Sequence, residues 1–435
     1  MRLINRCFKF VLPLVLAGVC FAGLPVGAAD GDWPQWRGPE RDGHAAPQKL
    51  LQSWPEGGPK LKWVFRNAGQ GYSACSVADG RVYTMGARGD QCFVFCLDAA
   101  SGEQLWEKAI SRASTDKDYT HNWGGGPRST PTVDGDYLYA ISDIGTVACL
   151  RTSDGGLVWD VSLVEDFGGA IPAWGYSESV LIDGDRAIAT AGGKNFLVGL
   201  NKKTGRKVWG SRRIEAEAQY VSVIRHDFGG VALYLTASKP GFFMINAKSG
   251  AEFLSSGVTG NNIAVIPTPI VQDNLIYHTS DYGAGNALWK LSGGDGNVSA
   301  EMVYHLQGKS MMNHHGGVVL VDGVIYGFTK ANRGQWMAQD LASGETLWSE
   351  SLGRDTSGSI AYADGRLYCY GDKEGKLYLV EPNREAVKVV GSLVLPEQTE
   401  IARKSGAIWA HPVIANQMLI IRDQDLVFAF DIARD

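Results

Sequence analysis

The chain has 435 residues, 45% of them hydrophobic, and a formal net charge of −5. This mild acidity, with no basic run, excludes a nucleic-acid footprint and a polybasic membrane patch. Glycine is abundant at 55 residues, which suits many tight turns; the length fits two or three ordinary domains or one repeat fold.

Residues 1–28 read as a secretion signal. Arg2, Arg6 and Lys9 make a positive start, Phe10 to Leu24 an apolar stretch, and Val26-Gly27-Ala28 a small-residue cleavage site. The stretch is short for a membrane span and contains Pro13. An exported chain, periplasmic or extracellular, is therefore expected. Val19 stands before Cys20 where a lipoprotein signal wants a small residue, so a lipid anchor is not the favoured reading. No later segment is long and apolar enough to cross a bilayer. Cleavage removes three basic and no acidic residues, which takes the charge to −8, and leaves five cysteines. An odd number argues against a complete disulfide framework. Cys92 and Cys96 lie in one expected strand, roughly 13 Å apart, too far to pair.

Residues 29–60 form an arm. The Pro and Gly content of Asp32-Trp-Pro-Gln-Trp-Arg-Gly-Pro-Glu-Arg-Asp-Gly43 argues against helix or central strand. The arm is expected to pack on the outside or bottom of the fold through Trp33 and Trp36, in preference to a ligand role.

Residues 61–435 carry a repeat. Each unit starts with a short apolar strand and turns at a pair of small polar residues. These pairs are Asp79-Gly80, Asp134-Gly135, Asp183-Gly184, Gly229-Gly230, Asp273-Asn274, Asp322-Gly323, Asp364-Gly365 and Asn416-Gln417. Such pairs favour positive φ and tight antiparallel hairpins. Units end in Asp-x-x-x-Gly-x-x-x-Trp, clearest at Asp98 to Trp106, Asn201 to Trp209 and Asp340 to Trp348, with Arg151 to Trp159 a fourth copy. Phe253-Leu254 replaces the Trp in one unit, and Glu381 to Leu395 ends another irregularly. Four strands in a unit of about 40 to 50 residues describe a propeller blade. The last unit supplies three strands, and Leu61-Lys-Trp-Val-Phe65 is a spare one. The expectation is an all-β, eight-bladed β-propeller with four-stranded antiparallel blades, its last blade closed by the N-terminal strand.

At these endings the chain resembles the PQQ-repeat propeller superfamily, whose docking motif packs the Trp of one blade on the next. The resemblance implies that role for Trp106, Trp159, Trp209 and Trp348. The superfamily includes quinoprotein alcohol dehydrogenases and the barrel-assembly propeller lipoprotein of the outer membrane, which binds partners and no cofactor. Trp-Pro-Gln-Trp-Arg-Gly-Pro with Asn313-His-His-Gly-Gly317 also looks like exported single-propeller proteins described only by their repeat. In dehydrogenases the resemblance implies a quinone clamped at the centre, Ca²⁺ on carboxylate and amide oxygens, a catalytic Asp and, in many members, an adjacent-cysteine disulfide. This chain has no Cys-Cys dipeptide, no clear Glu/Asn/Asp set before the first strands and no Cys-x-x-Cys-His. Gly-x-Ser-x-Gly, P-loop and His-Glu-x-x-His signatures are absent too.

The segments leading into each innermost strand converge on the propeller axis, and they are rich in Trp, Tyr, His and Gly. Trp123, Trp174 and Trp409 are candidates for a stacking surface, Tyr72, Tyr176, His314, His315 and His411 for polar handles, and Arg128 for an anion anchor. The same aromatics can instead plug the channel. On a strand His314 and His315 point to opposite faces, so no metal site is expected. The expected function is a non-catalytic binding or scaffold propeller of the cell envelope. Its ligand or partner, an envelope protein or glycan, would sit at the central face of a monomer, with no cofactor. The alternative is a PQQ-dependent alcohol dehydrogenase of the polyvinyl-alcohol type, using Ca²⁺.

Overall fold

The computed structural model describes residues 31–434 apart from 295 and 309. The leader expected at residues 1–28 lies outside them. Eight four-stranded antiparallel sheets form the ring. Blade 1 runs over strands from Ser76 to Arg112, blade 2 from Thr132 to Ser162 and blade 3 from Leu181 to Gly210. Blades 4 to 7 start at Ile224, Ile270, Val318 and Gly358. Blade 8 takes Val413–Ala415, Met418–Asp423 and Leu426–Asp431, and its fourth strand is Lys60–Phe65, with Lys60 opposite Asp431. The N-terminal strand closes the ring, which leaves no blade with a missing edge.

The eight expected hairpins all form. At Asp79-Gly80, Gly229-Gly230, Asp322-Gly323 and Asp364-Gly365 both central residues take positive φ, the geometry that matches strand twist. At two blades the turn slips by one residue, so that Gly135 and Gly184 lead it with φ of 57° and 58°.

Apolar clusters lie between adjacent blades, such as Tyr139, Val147 and Trp159 against Ala187 and Val198. A bulge recurs at the same place in every fourth strand. Trp63, Trp106, Trp159, Trp209 and Trp348 occupy that position. Trp63 donates to Ala99 O, Trp106 to Thr152 O, Trp159 to Lys202 O and Trp348 to Asn383 O, at 2.8–3.0 Å. The ring beneath needs glycine in the receiving turn. A Cβ on Gly102, Gly155 or Gly205 would stand 2.5–2.8 Å from Trp63, Trp106 or Trp159. Trp209 packs edge-on against Tyr234 at 5.2 Å, but its Nε1 has no partner among the described residues. Arg186 holds Ala247 O, the carbonyl at the equivalent place.

Blades without the Trp find substitutes. In blade 5 Tyr304 stands at the bulge, donates to Leu341 O at 2.8 Å and covers Gly344. In blade 7 the irregular ending is a regular strand, Lys388–Val394, with Gly391 at the bulge. Trp54 of the arm lies over Gly391 and reaches Tyr368, ring centroids 6.0 Å apart. The five cysteines among the described residues are all buried and free.

Of the two placements expected for the arm, outside or bottom, the contacts are those of the bottom. The ring's innermost strands leave one edge unpaired toward the axis, and residues 31–51 run across the lower end of the channel along those edges. Trp33 bridges to Val77, Pro34 O accepts from Val133 N, and Ala45 N donates to Tyr362 O. Arg37 donates to Gly316 O and Val318 O, and Arg41 to Ser179 O and Val180 O. Both guanidiniums are fully enclosed, and burial lowers each to about 10, so they stay charged at neutral pH. Beside Arg41, the buried Glu178 accepts from Thr190, and desolvation pushes its carboxyl up to about 7.

Candidate functional site

The upper end of the channel is open to solvent and lined by two kinds of loop. One joins each fourth strand to the next blade's first strand; the other joins second and third strands. Together they enclose a cavity of about 360 Å³. Trp36 forms its floor from below, donating to Thr268 Oγ1 at 2.9 Å with its ring 4.4 Å from that of His411. Trp36 thus brings the arm to the cavity lining. A short 3₁₀ turn, His121–Trp123, capped by Thr120, presents Trp123 at the rim. Trp409 is the hub of one wall, with Tyr72, Trp123, His314 and His315 at ring-centroid distances of 5.3–6.4 Å. Trp174 and Tyr220 face each other at 6.0 Å on another wall.

Of the nine candidates, Tyr72, Trp123, Arg128, Trp174, His314, His315, Trp409 and His411 line this cavity. Tyr176 does not. It is fully buried between blades 2 and 3, and its hydroxyl donates to Ala191 O at 3.0 Å. The turn closed by Gly175 N on Pro172 O, with Gly175 at φ 78°, swings the chain so that Trp174 faces the axis and Tyr176 the core.

The histidines come together from two blades. His314 and His315 are 5.6 Å apart by ring centroid, and His315 and His411 5.9 Å. They sit in a turn, so neighbours in sequence reach one cavity. His315 Nδ1 is 2.7 Å from Ser357 Oγ, and His314 Nε2 is 3.1 Å from the Tyr282 hydroxyl. Desolvation brings His314 and His411 down to about 3, aided by the charges of Lys330 and Arg37 respectively, and His315 falls well below its ordinary value. All three are neutral imidazoles at pH 7. Arg128 lies over the Tyr72 ring at 4.8 Å and donates to Gly124 O and Gly126 O.

Residues that the sequence reading left out are Trp36, Tyr220, Tyr282, Lys330, Asp372 and Lys373. Tyr220 lay in a converging segment without being singled out. Tyr282, Lys330, Asp372 and Lys373 come from loops between second and third strands, which open on the same face. The repeat phase that located one set of loops also locates this one.

The donor set does not fit a metal-bound quinone. Among the described residues no group of three or more His, Cys, Asp and Glu side chains is placed to hold a metal. Asp372, the lining carboxylate, has both oxygens engaged by Thr356 N and Oγ1. Among the described lining residues Asp372 is thus the single carboxylate, where Ca²⁺ favours several oxygen ligands with carboxylates among them. Nearby, Ser114, His121 and Asp143 meet without forming a nucleophilic triad, because Ser114 donates directly to Asp143 and shares that carboxylate with Tyr119.

The family model described as outer membrane protein assembly factor BamB matches residues 91–348. The chain belongs to this family of PQQ-repeat propellers. It is 22% identical to BamB of Yersinia pestis over 340 residues, covering 76% of this chain and 67% of that protein. Identity to BamB of Moranella endobia is 23% over 318 residues, 72% of this chain and 63% of that one. The chain spans about two thirds of the length of these curated relatives. Among solved structures, BamB from Moraxella catarrhalis superposes with a TM-score of 0.59 at 14% identity, covering 86% of this chain and 99% of that one. Quinohemoprotein alcohol dehydrogenase ADHIIG from Pseudomonas putida HK5 superposes at 0.61 with 11% identity, covering 93% and 80%. At such identities the likeness to both structures concerns the fold.

Proposed function

We propose that the chain is a non-catalytic binding propeller of the cell envelope. It holds a small ligand, or a segment of an envelope partner, at its aromatic upper face. The carrying observation is the cavity: seven aromatic rings and three histidines converge on a space with one lining carboxylate. Burial keeps the three imidazoles neutral at pH 7, so they act in this reading as hydrogen-bonding groups beside the stacking rings. Membership of a family named for an outer membrane assembly factor supports an envelope role and protein partners, and the leader expected at residues 1–28 agrees with export. The alternative, a quinoprotein alcohol dehydrogenase, is less supported, because among the described residues the cavity has one lining carboxylate to offer a Ca²⁺. The test is to incubate the mature protein with PQQ and Ca²⁺ and assay dye-linked oxidation of alcohols. No quinone-dependent turnover is expected; saturable, alcohol-dependent dye reduction overturns the binding reading.

A further inference from the structure

We infer that the cavity takes an acidic sugar, a pyranose bearing a carboxylate and presented as the end of a glycan. The inference rests on the binding reading above and adds the ligand's chemical class. Charge points to it first. Among the described residues neither Arg128 nor Lys373 has a carboxylate within ion-pair distance, while Lys330 is 3.4 Å from Asp281. The one lining carboxylate, Asp372, is held by Thr356 and stands against three lining cations, Arg128, Lys330 and Lys373, so an entering carboxylate meets a lining that stays net positive. Two of the five guanidinium donors of Arg128 are used on Gly124 O and Gly126 O. Those bonds and Tyr72 beneath fix its plane and leave further donors for a planar anion.

The walls point to a sugar ring as the body that carries the carboxylate. Trp409 and Trp123 lie at 6.4 Å with 32° between their planes. Their electron-rich faces suit the positively polarised C–H surface of a pyranose. Beside them on the same wall, His315 is 6% exposed, and its Nε2 and the Nδ1 of His314 are buried without a partner among the described residues. Such atoms cost free energy unless a ligand engages them. A neutral imidazole nitrogen either donates or accepts, which matches hydroxyl groups. Shape limits the length: Trp36 closes the floor, so the cavity receives a chain end and not a strand passing through. Its volume, about 360 Å³, lies near the lower end of the range for small-molecule sites.

Calorimetric titration of the mature protein with D-glucuronate and digalacturonate, against glucose, cellobiose and a short peptide carboxylate, tests this. The acidic sugars are expected to bind at least about tenfold more tightly than the neutral ones, as a charge-assisted contact requires. Arg128→Gln should remove about tenfold of that affinity, and Lys373→Gln, on an exposed side chain that supports no fold contact, should weaken acidic sugars selectively. Equal affinity for glucose and glucuronate overturns the acidic class while sparing the binding reading. Tighter binding of the peptide overturns the sugar, and so does the absence of saturable binding by any of the sugars. Circular dichroism of each variant separates lost affinity from lost fold.

Discussion

Trp159 stands on a fourth strand at the periphery of the ring, and Trp123 in a connecting loop at its axis. Trp159 is 8% exposed, donates to Lys202 O at 2.9 Å, and rests on a glycine that can carry no side chain. Trp123 is 43% exposed; its ring meets Trp409 at 6.4 Å, and its backbone carbonyl accepts from Tyr72. The peripheral position is one of eight equivalent bulges, five of them bearing a Trp, and at four of those the neighbouring turn accepts from the indole nitrogen. The central position lies in a converging loop, and Trp174 and Trp409 reach the same cavity from the corresponding loops of other blades. What the difference teaches is that a tryptophan's periodic spacing marks ring assembly, whereas a tryptophan outside the period, on a converging loop, marks the surface available to a ligand.

The sharpest way to break this comparison is Trp159→Ala. Loss of a buried indole and its interblade contact should cost about 3–5 kcal/mol in denaturant titration, and a cost as small as that of an exposed substitution would sink the docking role. The axial packing behind the site gives a second measurement. The carboxyl of Glu178 is raised to about 7, above its ordinary 4.5. The folded state therefore binds this proton more tightly than the unfolded chain, and the protonated form is the favoured one. The contribution is fully present below about pH 4.5 and falls by about 3 kcal/mol as pH rises through about 7. Unfolding titrations between about pH 5 and pH 8 should show the slope, and Glu178→Gln should flatten it; an unchanged slope in the variant excludes Glu178 as its source.

Within the peripheral ring, Trp159→Phe should cost about 1 kcal/mol more than Trp209→Phe. Both lose the same part of a ring, but only the first breaks a hydrogen bond, since Trp209 Nε1 has no partner among the described residues. Equal costs would mean that ring packing alone sets the docking energy. The smallest effect on stability is expected at the rim. Trp123→Ala should change unfolding by no more than about 0.5 kcal/mol while weakening acidic-sugar binding in the titration described above. A large loss of stability there would erase the distinction between the two sets.

The blade count, the eight hairpins and the closing strand were legible because each is a local pattern. Positive-φ pairs at Asp79-Gly80 or Asp322-Gly323 specify a hairpin from two residues, and Trp106 and Gly102 belong to one nine-residue ending. The spare strand around Trp63 followed from counting. The substitutes for missing tryptophans were not legible: Tyr304 does the same work with a different ring, and Trp54 reaches Gly391 from more than three hundred residues away. For the site, the phase of the repeat indicated which loops converge, so eight of nine candidates meet at one cavity. Tyr176 was misplaced because the Gly175 turn decides whether its side chain faces axis or core.

The sequence by itself determined the ring: strand spacing, turn chemistry and the Trp–Gly ending recur often enough that local energetics leave little choice. Only the tertiary structure decided what fills the axis. The channel edges expose backbone carbonyls from blades far apart in the chain, and Arg37 and Arg41 satisfy them by threading the arm beneath. That threading makes Trp36 a cavity floor. Lys330, Asp372 and Lys373 become its neighbours only once the ring has closed. No local pattern encodes those contacts, because each depends on edges and loops that different blades bring to one point.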